Sequence, residues 1–110
     1  MTMKDYILSI DDLPRRPVLI PEWEMTVYVR TLTARERDRF EGQQARDPYA
    51  DVRARLAVMA MVDDEGRPVF DESDIPALSA KSSRALDRIF AVAVRLNGIT
   101  KEDLEDIKKG

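Results

Sequence analysis

The pattern of apolar and polar positions changes character several times along the chain. From Met1 to Leu13 the apolar residues Tyr6, Ile7, Leu8 and Ile10 form one short cluster, which fits either one or two helical turns or an edge strand. Pro14, Arg15, Arg16 and Pro17 then punctuate the chain. Val18-Leu19-Ile20 and Thr26-Val27-Tyr28-Val29-Arg30-Thr31 are rich in β-branched and aromatic residues and predict two strands. In the second, Val27, Val29 and Thr31 share one face, with Thr26, Tyr28 and Arg30 on the other. The connection Pro21–Met25 is short enough for a hairpin, and Pro17 and Pro21 belong at strand ends or on an edge because neither can donate to a ladder. A lone hairpin is marginal in water, so this one must pack on helices or on another chain.

From Thr33 onward the period is helical. Thr33-Ala34-Arg35-Glu36 is a capping box, in which the threonine oxygen accepts from the third amide and Glu36 reaches back. The helix it starts is unusual, since Phe40 is the one large apolar residue between Ala34 and Ala45. Such a helix is either an assembly surface or a plain solvated helix held by capping and ion pairs. Asp47-Pro48 restarts the chain with an N-cap and a first-turn proline. Pro48–Val62 then reads as a core helix, with Val52, Leu56, Met59 and Ala60 in one stripe widened by Ala57, Val58 and Met61. The seven-residue apolar run Leu56–Val62 also suits a buried strand, and its Ala, Leu and Met content decides for helix.

Asp63-Asp64-Glu65-Gly66 predicts a turn, Pro68-Val69-Phe70 an extended piece pairing back near Val62, and Asp71–Asp74 the cap of a single turn holding Ile75 and Leu78. A long helix starts between Ser79 and Ser82 and runs to Asn97, carrying the stripes Leu86, Ile89, Phe90, Ala93 and Ala85, Ile89, Val92, Leu96. Asn97-Gly98 closes it, and Thr100-Lys101-Glu102-Asp103 opens a last helix with Leu104 and Ile107. The expected fold is mainly α, in the α+β class: a small helical domain of about four helices with an N-terminal β-hairpin. Residues 1–110 form one domain, with the hairpin at 17–32, the helical part at 33–110, and mobile ends expected at 1–13 and 100–110.

Composition narrows the chemistry. The 110 residues include no cysteine and no histidine. Zinc sites of the usual kind, disulfides, thiolate redox chemistry and Ser-His-Asp or Cys-His mechanisms therefore have no ligands or nucleophile–base pairs to draw on. Net charge is −3 on a chain that is 35% charged, so whole-molecule attraction to nucleic acid is not expected. No apolar run approaches a membrane span, and Asp5, Asp11 and Asp12 interrupt the N-terminal apolar residues where a signal peptide would be continuous.

Candidate sites fare poorly as chemistry. With Gly66 sixth in a calcium loop, Asp63, Glu65 and Glu72 fall at ligand positions, but Met61 would be the first ligand and Arg67 the seventh, so a solvated turn is expected instead. Twenty-one acids make any carboxylate pair unspecific, and the four glycines are isolated, which leaves no phosphate loop. Arg30, Arg35, Arg37, Arg39, Arg46, Arg53 and Arg55 are interleaved with acids and read as an ion-paired surface rather than a phosphate track. No enzyme, cofactor or metal is expected. Trp23, beside Met25, either packs on the domain's own helices or anchors a partner.

Taken in order, these segments resemble a known family. Val18-Leu19-Ile20-Pro21-Glu22-Trp23, Val27-Tyr28-Val29-Arg30-Thr31-Leu32-Thr33 and Glu36-Arg37-Asp38 look like the tail assembly chaperones of long-tailed, siphovirus-type bacteriophages and prophages. Leu56–Val62, Asp63-Asp64-Glu65-Gly66, Phe70, Lys81-Ser82, Leu86-Asp87-Arg88-Ile89-Phe90 and Leu96-Asn97-Gly98-Ile99 extend the likeness over roughly residues 5 to 107. Glu24 departs from it, standing where the pattern leads one to expect glycine. The resemblance implies a protein that binds the tape measure protein, recruits tail tube subunits in the host bacterial cytoplasm, and is absent from the finished virion. It also implies a possible homo-oligomer and a frameshifted longer form, with which Lys108-Lys109 is compatible. The expected partner-binding residues are Trp23, Met25, Tyr28, Arg37 and Phe40, with no nucleic acid and no membrane among the partners. The rivals are a structural tail completion or head–tail connector protein and, further off, a small DNA-binding regulator.

Overall fold

A computed structural model describes residues 1–47 and 50–100. Among them lie five α-helices and a three-stranded antiparallel sheet of order β1-β2-β3. The cluster at the N-terminus resolves as a helix, α1 (Met3–Ser9), because Thr2 and Asp5 form a reciprocal capping box. β1 (Arg15–Ile20) and β2 (Met25–Arg30) form the hairpin, with Arg15 opposite Arg30 and Ile20 opposite Met25. β1 is the sheet edge and carries Pro17 in its middle, where the missing N–H costs least. Val18, Ile20, Val27 and Val29 point into the core from one face of the hairpin, as the alternation requires.

A short 3₁₀ turn, Pro21–Trp23, joins the strands, and Glu24 closes it at φ 53° and ψ 40°, in the left-handed region. Glycine adopts that geometry without steric cost, whereas a residue with a Cβ does not. Glu24→Gly is expected to raise stability by about 0.5–1 kcal/mol, because removing ~1–2 kcal/mol of left-handed strain exceeds the added freedom of the unfolded chain. Urea unfolding checks it, and a variant no more stable than the parent would show that the turn carries no such strain.

Thr33 and Glu36 cap α2 (Ala34–Arg46) as expected. It buries Phe40 and also Gln44, whose Oε1 accepts a 2.8 Å hydrogen bond from the buried Arg55. The next segment departs from the expected single helix Pro48–Val62. Here α3 is Val52–Ala60, with Asp51 before it, and Met61–Val62 leaves the helix to form β3 against Tyr28 and Val29. A run of seven apolar residues suits both environments, and the open edge of β2 draws its last two into the sheet. α3 is the central helix: Ala54, Arg55, Leu56, Ala57, Val58 and Ala60 are all buried.

Gly66, at φ 87°, turns the chain so that Pro68 bridges back to Val62, as the extended piece was expected to do. Asp71 caps the 3₁₀ turn Glu72–Asp74, which leads into α4 (Ile75–Ser79). α5 (Ser83–Leu96) buries Ala85, Leu86, Ile89 and Ala93 and packs on α3 and on the hairpin. The expected last helix with Leu104 and Ile107, and the Pro48 start signal, lie outside the described residues.

Two polar ties hold hairpin to helices. Arg30 donates to both carboxylate oxygens of Glu36, at 2.8 and 2.9 Å, and to the Thr31 carbonyl. Asn97 accepts from the Leu32 N–H at 2.7 Å and donates to the Ala93 and Arg30 carbonyls, so it stitches the end of α5 to the strand–helix junction. Leu32, Ile99 and Phe40 are buried.

Candidate functional site

The feature with the most capacity for recognition is a groove of about 730 Å³ on the β3 side of the hairpin. Its walls come from four stretches: Trp23 and Met25–Tyr28 of the hairpin, Met61–Asp64, Val69-Phe70, and Asp74, Ala77, Leu78 and Lys81 around α4. β3 is only two residues long and pairs with Tyr28 and Val29, so the Met25–Val27 part of β2 is left facing the groove rather than a strand. The floor is apolar, and Met25 and Val69 are about half exposed (51% and 49%). A volume of this size lined by aromatic, Met and aliphatic side chains is what a bound apolar segment needs.

Each wall has a reason to stand where it does. Arg88 of α5 donates to both oxygens of Glu22, at 2.8 and 3.1 Å, which seats the Pro21–Trp23 turn and holds the Glu22 carboxyl below its ordinary pKa. Asp63 accepts from the Glu65 and Arg67 amides and from the Arg67 guanidinium, and these bonds, led by the Arg67 amide, hold its carboxyl below its ordinary pKa. Asp64 and Asp74 add two more carboxylates at the rim, against the ammonium of Lys81. The mouth therefore carries charges of both signs over an apolar floor.

The residues singled out from the sequence divide into two places. Trp23, Met25 and Tyr28 are brought together in the groove. Phe40 is 1% exposed, in the core between α2 and α3, and offers no surface. Arg37 donates to Glu41 and, at 2.8 Å, to the Asn97 carbonyl, so it serves the end of α5. Met61, Val62, Val69, Phe70, Ala77 and Leu78 were not singled out. Their apolar character reads as core in sequence, and Met61, Val62 and Leu78 are indeed buried, forming the back of the groove, while Val69 is half exposed beside them.

The candidate calcium loop is a hydrogen-bonded turn whose Asp63 is already engaged by Arg67. Among the described residues, no group of three or more acidic side chains is placed to hold a metal ion. No helix among them is long and apolar enough to cross a membrane.

No protein-family model and no curated protein matches the sequence. In three dimensions the chain is similar to the structure of the bacteriophage HK97 tail assembly chaperone, with a TM-score of 0.66 at 17% identity over 90% of this chain and 96% of that one. At that identity the likeness is one of fold, and it agrees with the family resemblance carried by the order of the sequence segments.

Proposed function

We propose that this protein is a non-enzymatic phage tail assembly chaperone, acting in the host bacterial cytoplasm, that holds apolar helical segments of a tape measure protein in the groove of Trp23, Met25 and Tyr28 and recruits tail tube subunits to it. The observation that carries the reading is the open apolar groove on a fold shared with a phage tail assembly chaperone. A long, apolar-striped client needs reversible cover, and a groove with a flexible Met and aromatic walls gives broad, side-chain-based affinity. The carboxylates of Asp64 and Asp74 at the groove favour segments flanked by Lys or Arg.

The test is co-purification with the tape measure protein of the same phage or prophage. Met25→Glu, at a half-exposed position, is expected to weaken capture by about tenfold or more, since it places a charge in an apolar contact. Its melting curve should match the parent. Capture undiminished by Met25→Glu would remove the groove from the proposal. Mass spectrometry of purified virions separates the main rival: a chaperone is missing from the particle, whereas a tail completion or connector protein is present in it.

A further inference from the structure

Among the described residues two arginines are buried, and they are kept in different ways. Arg30 meets a carboxylate, Glu36, through two short hydrogen bonds. Arg55, 8% exposed, meets neutral acceptors instead: its Nη2 donates to Gln44 Oε1 at 2.8 Å and to the Asp47 carbonyl at 3.2 Å. Among the described residues it forms no ion pair with a carboxylate, and its Nε is buried without a hydrogen-bond partner. Burial lowers the Arg55 pKa by more than nearby Asp47 and Asp51 raise it, yet a guanidinium stays charged in a protein. A buried cation with no counter-charge is costly to keep. Arg55 lines a cavity of about 250 Å³ whose other walls come from α2, α3 and segment 68–75. Gln43 of α2 lines it too, and its Oε1 is likewise buried without a donor. Arg39, also on the wall, has a side chain 54% exposed and 3.3 Å from Glu72. The acids of the cavity are already engaged: Glu36 by Arg30 and the Thr33 N–H, Asp71 by the Ser73 amide and hydroxyl, Glu72 by Arg39. The space is larger than one water needs and matches one side-chain-sized group.

We infer that this cavity is a binding site for a carboxylate group, which accepts from Arg55 Nε and lies beside Gln43 and Arg39. It supplies the charge that Arg55 lacks, and a guanidinium N–H on a carboxylate oxygen is among the stronger hydrogen bonds in proteins. Gln43 adapts by turning its amide over, which puts an NH2 donor where the orphaned oxygen stands. Arg39 exchanges a long, exposed contact with Glu72, worth little in water, for a bond to the incoming group. Water alone would satisfy the hydrogen bonds and leave the charge unanswered. The carboxylate belongs either to an acidic side chain of a partner protein or to a small free acid, and the chemistry of recognition is the same. The site shares Phe70 and no other wall residue with the groove of Trp23, Met25 and Tyr28, and it does not depend on the chaperone reading.

The test follows the Arg55 Nε–H resonance of the full chain by NMR while sodium acetate replaces sodium chloride at constant ionic strength. Acetate is expected to move it downfield to saturation, and acetamide, a neutral molecule of the same shape, to leave it in place. Arg39→Ala and Gln43→Leu should each weaken the acetate response by about fivefold or more, with the melting curve unchanged. A blocked tripeptide with glutamate at its centre then distinguishes the source. If it binds more tightly than acetate, the site takes an acidic side chain of a partner; if more weakly, it takes a small free acid. A resonance indifferent to both acetate and the peptide overturns the inference. So does an equal response to acetamide, which would make the cavity a place for water and neutral amides. A response undiminished by both substitutions overturns it too, since the anion then binds elsewhere.

Discussion

Phe40→Ala is expected to cost about 3–5 kcal/mol, a large part of the total for a domain of this size. The reason is how little else α2 has to bury. Of its thirteen residues only Phe40 and Gln44 are buried, and Phe40 is the large apolar one, 1% exposed. Gln44, one turn on, is committed to Arg55 of α3, so a helix that loses its phenyl anchor also loosens the partner of a buried guanidinium. Urea unfolding followed by Trp23 emission should show the midpoint fall steeply. Amide exchange should quicken throughout Ala34–Arg46 before it does in α3 or α5. A loss below about 1 kcal/mol would mean that α2 is held by its ion pairs and cap instead.

Glu36→Ala is the second large effect, at about 3 kcal/mol, because one carboxylate performs two tasks. It closes the capping box with the Thr33 N–H, at 2.9 Å, and it is the bidentate partner of Arg30, whose side chain is only 11% exposed. Removing it leaves that cation without its counter-charge. Changing Arg30 to Met in the same chain should recover part of the loss, since an apolar side chain needs no partner there.

The same pair sets an acid response. Partial burial raises the Glu36 pKa, but the bonds from Arg30 and Thr33 outweigh it, and the carboxyl titrates below its ordinary value near 4.5. A depressed folded-state pKa means that its contribution is fully present above the unfolded value and is lost as pH falls through the folded one. Stability should therefore be flat near neutrality and drop below about pH 4.5, with Glu36→Gln showing a shallower drop. An unchanged acid limb in that variant would assign the response to the exposed carboxylates instead.

Features that depend on near neighbours were legible in the sequence. The Thr33–Glu36 box, the hairpin alternation, the Gly66 turn, the Asp71 cap and the Asn97-Gly98 stop each rest on residues within one or two turns of each other, and each is found. What could not be read were the arrangements that depend on remote partners. The division of Leu56–Val62 between α3 and β3 is decided by the free edge of β2, some thirty residues earlier in the chain. Asn97 looks like an ordinary helix stop until Leu32 is seen donating to it. The groove was half legible: Trp23, Met25 and Tyr28 announce themselves as apolar residues around a turn, whereas the far wall is assembled from segments that read as core. Phe40 drew notice by being alone on a polar helix, a pattern that fits a partner anchor and a single core anchor equally well, and the structure has it in the core.

Pro17 in the middle of β1 has a consequence for how the molecule can aggregate. The outer edge of the sheet cannot offer a continuous row of donors, and Arg15 and Arg16 load the same strand with charge. On the opposite side Pro68 closes back on Val62, so that margin is blunted as well. Apart from the short Met25–Val27 stretch of β2, the sheet offers no long open edge among the described residues on which a fibre could grow. Crowded copies can meet through side chains, and contacts of that kind can be undone.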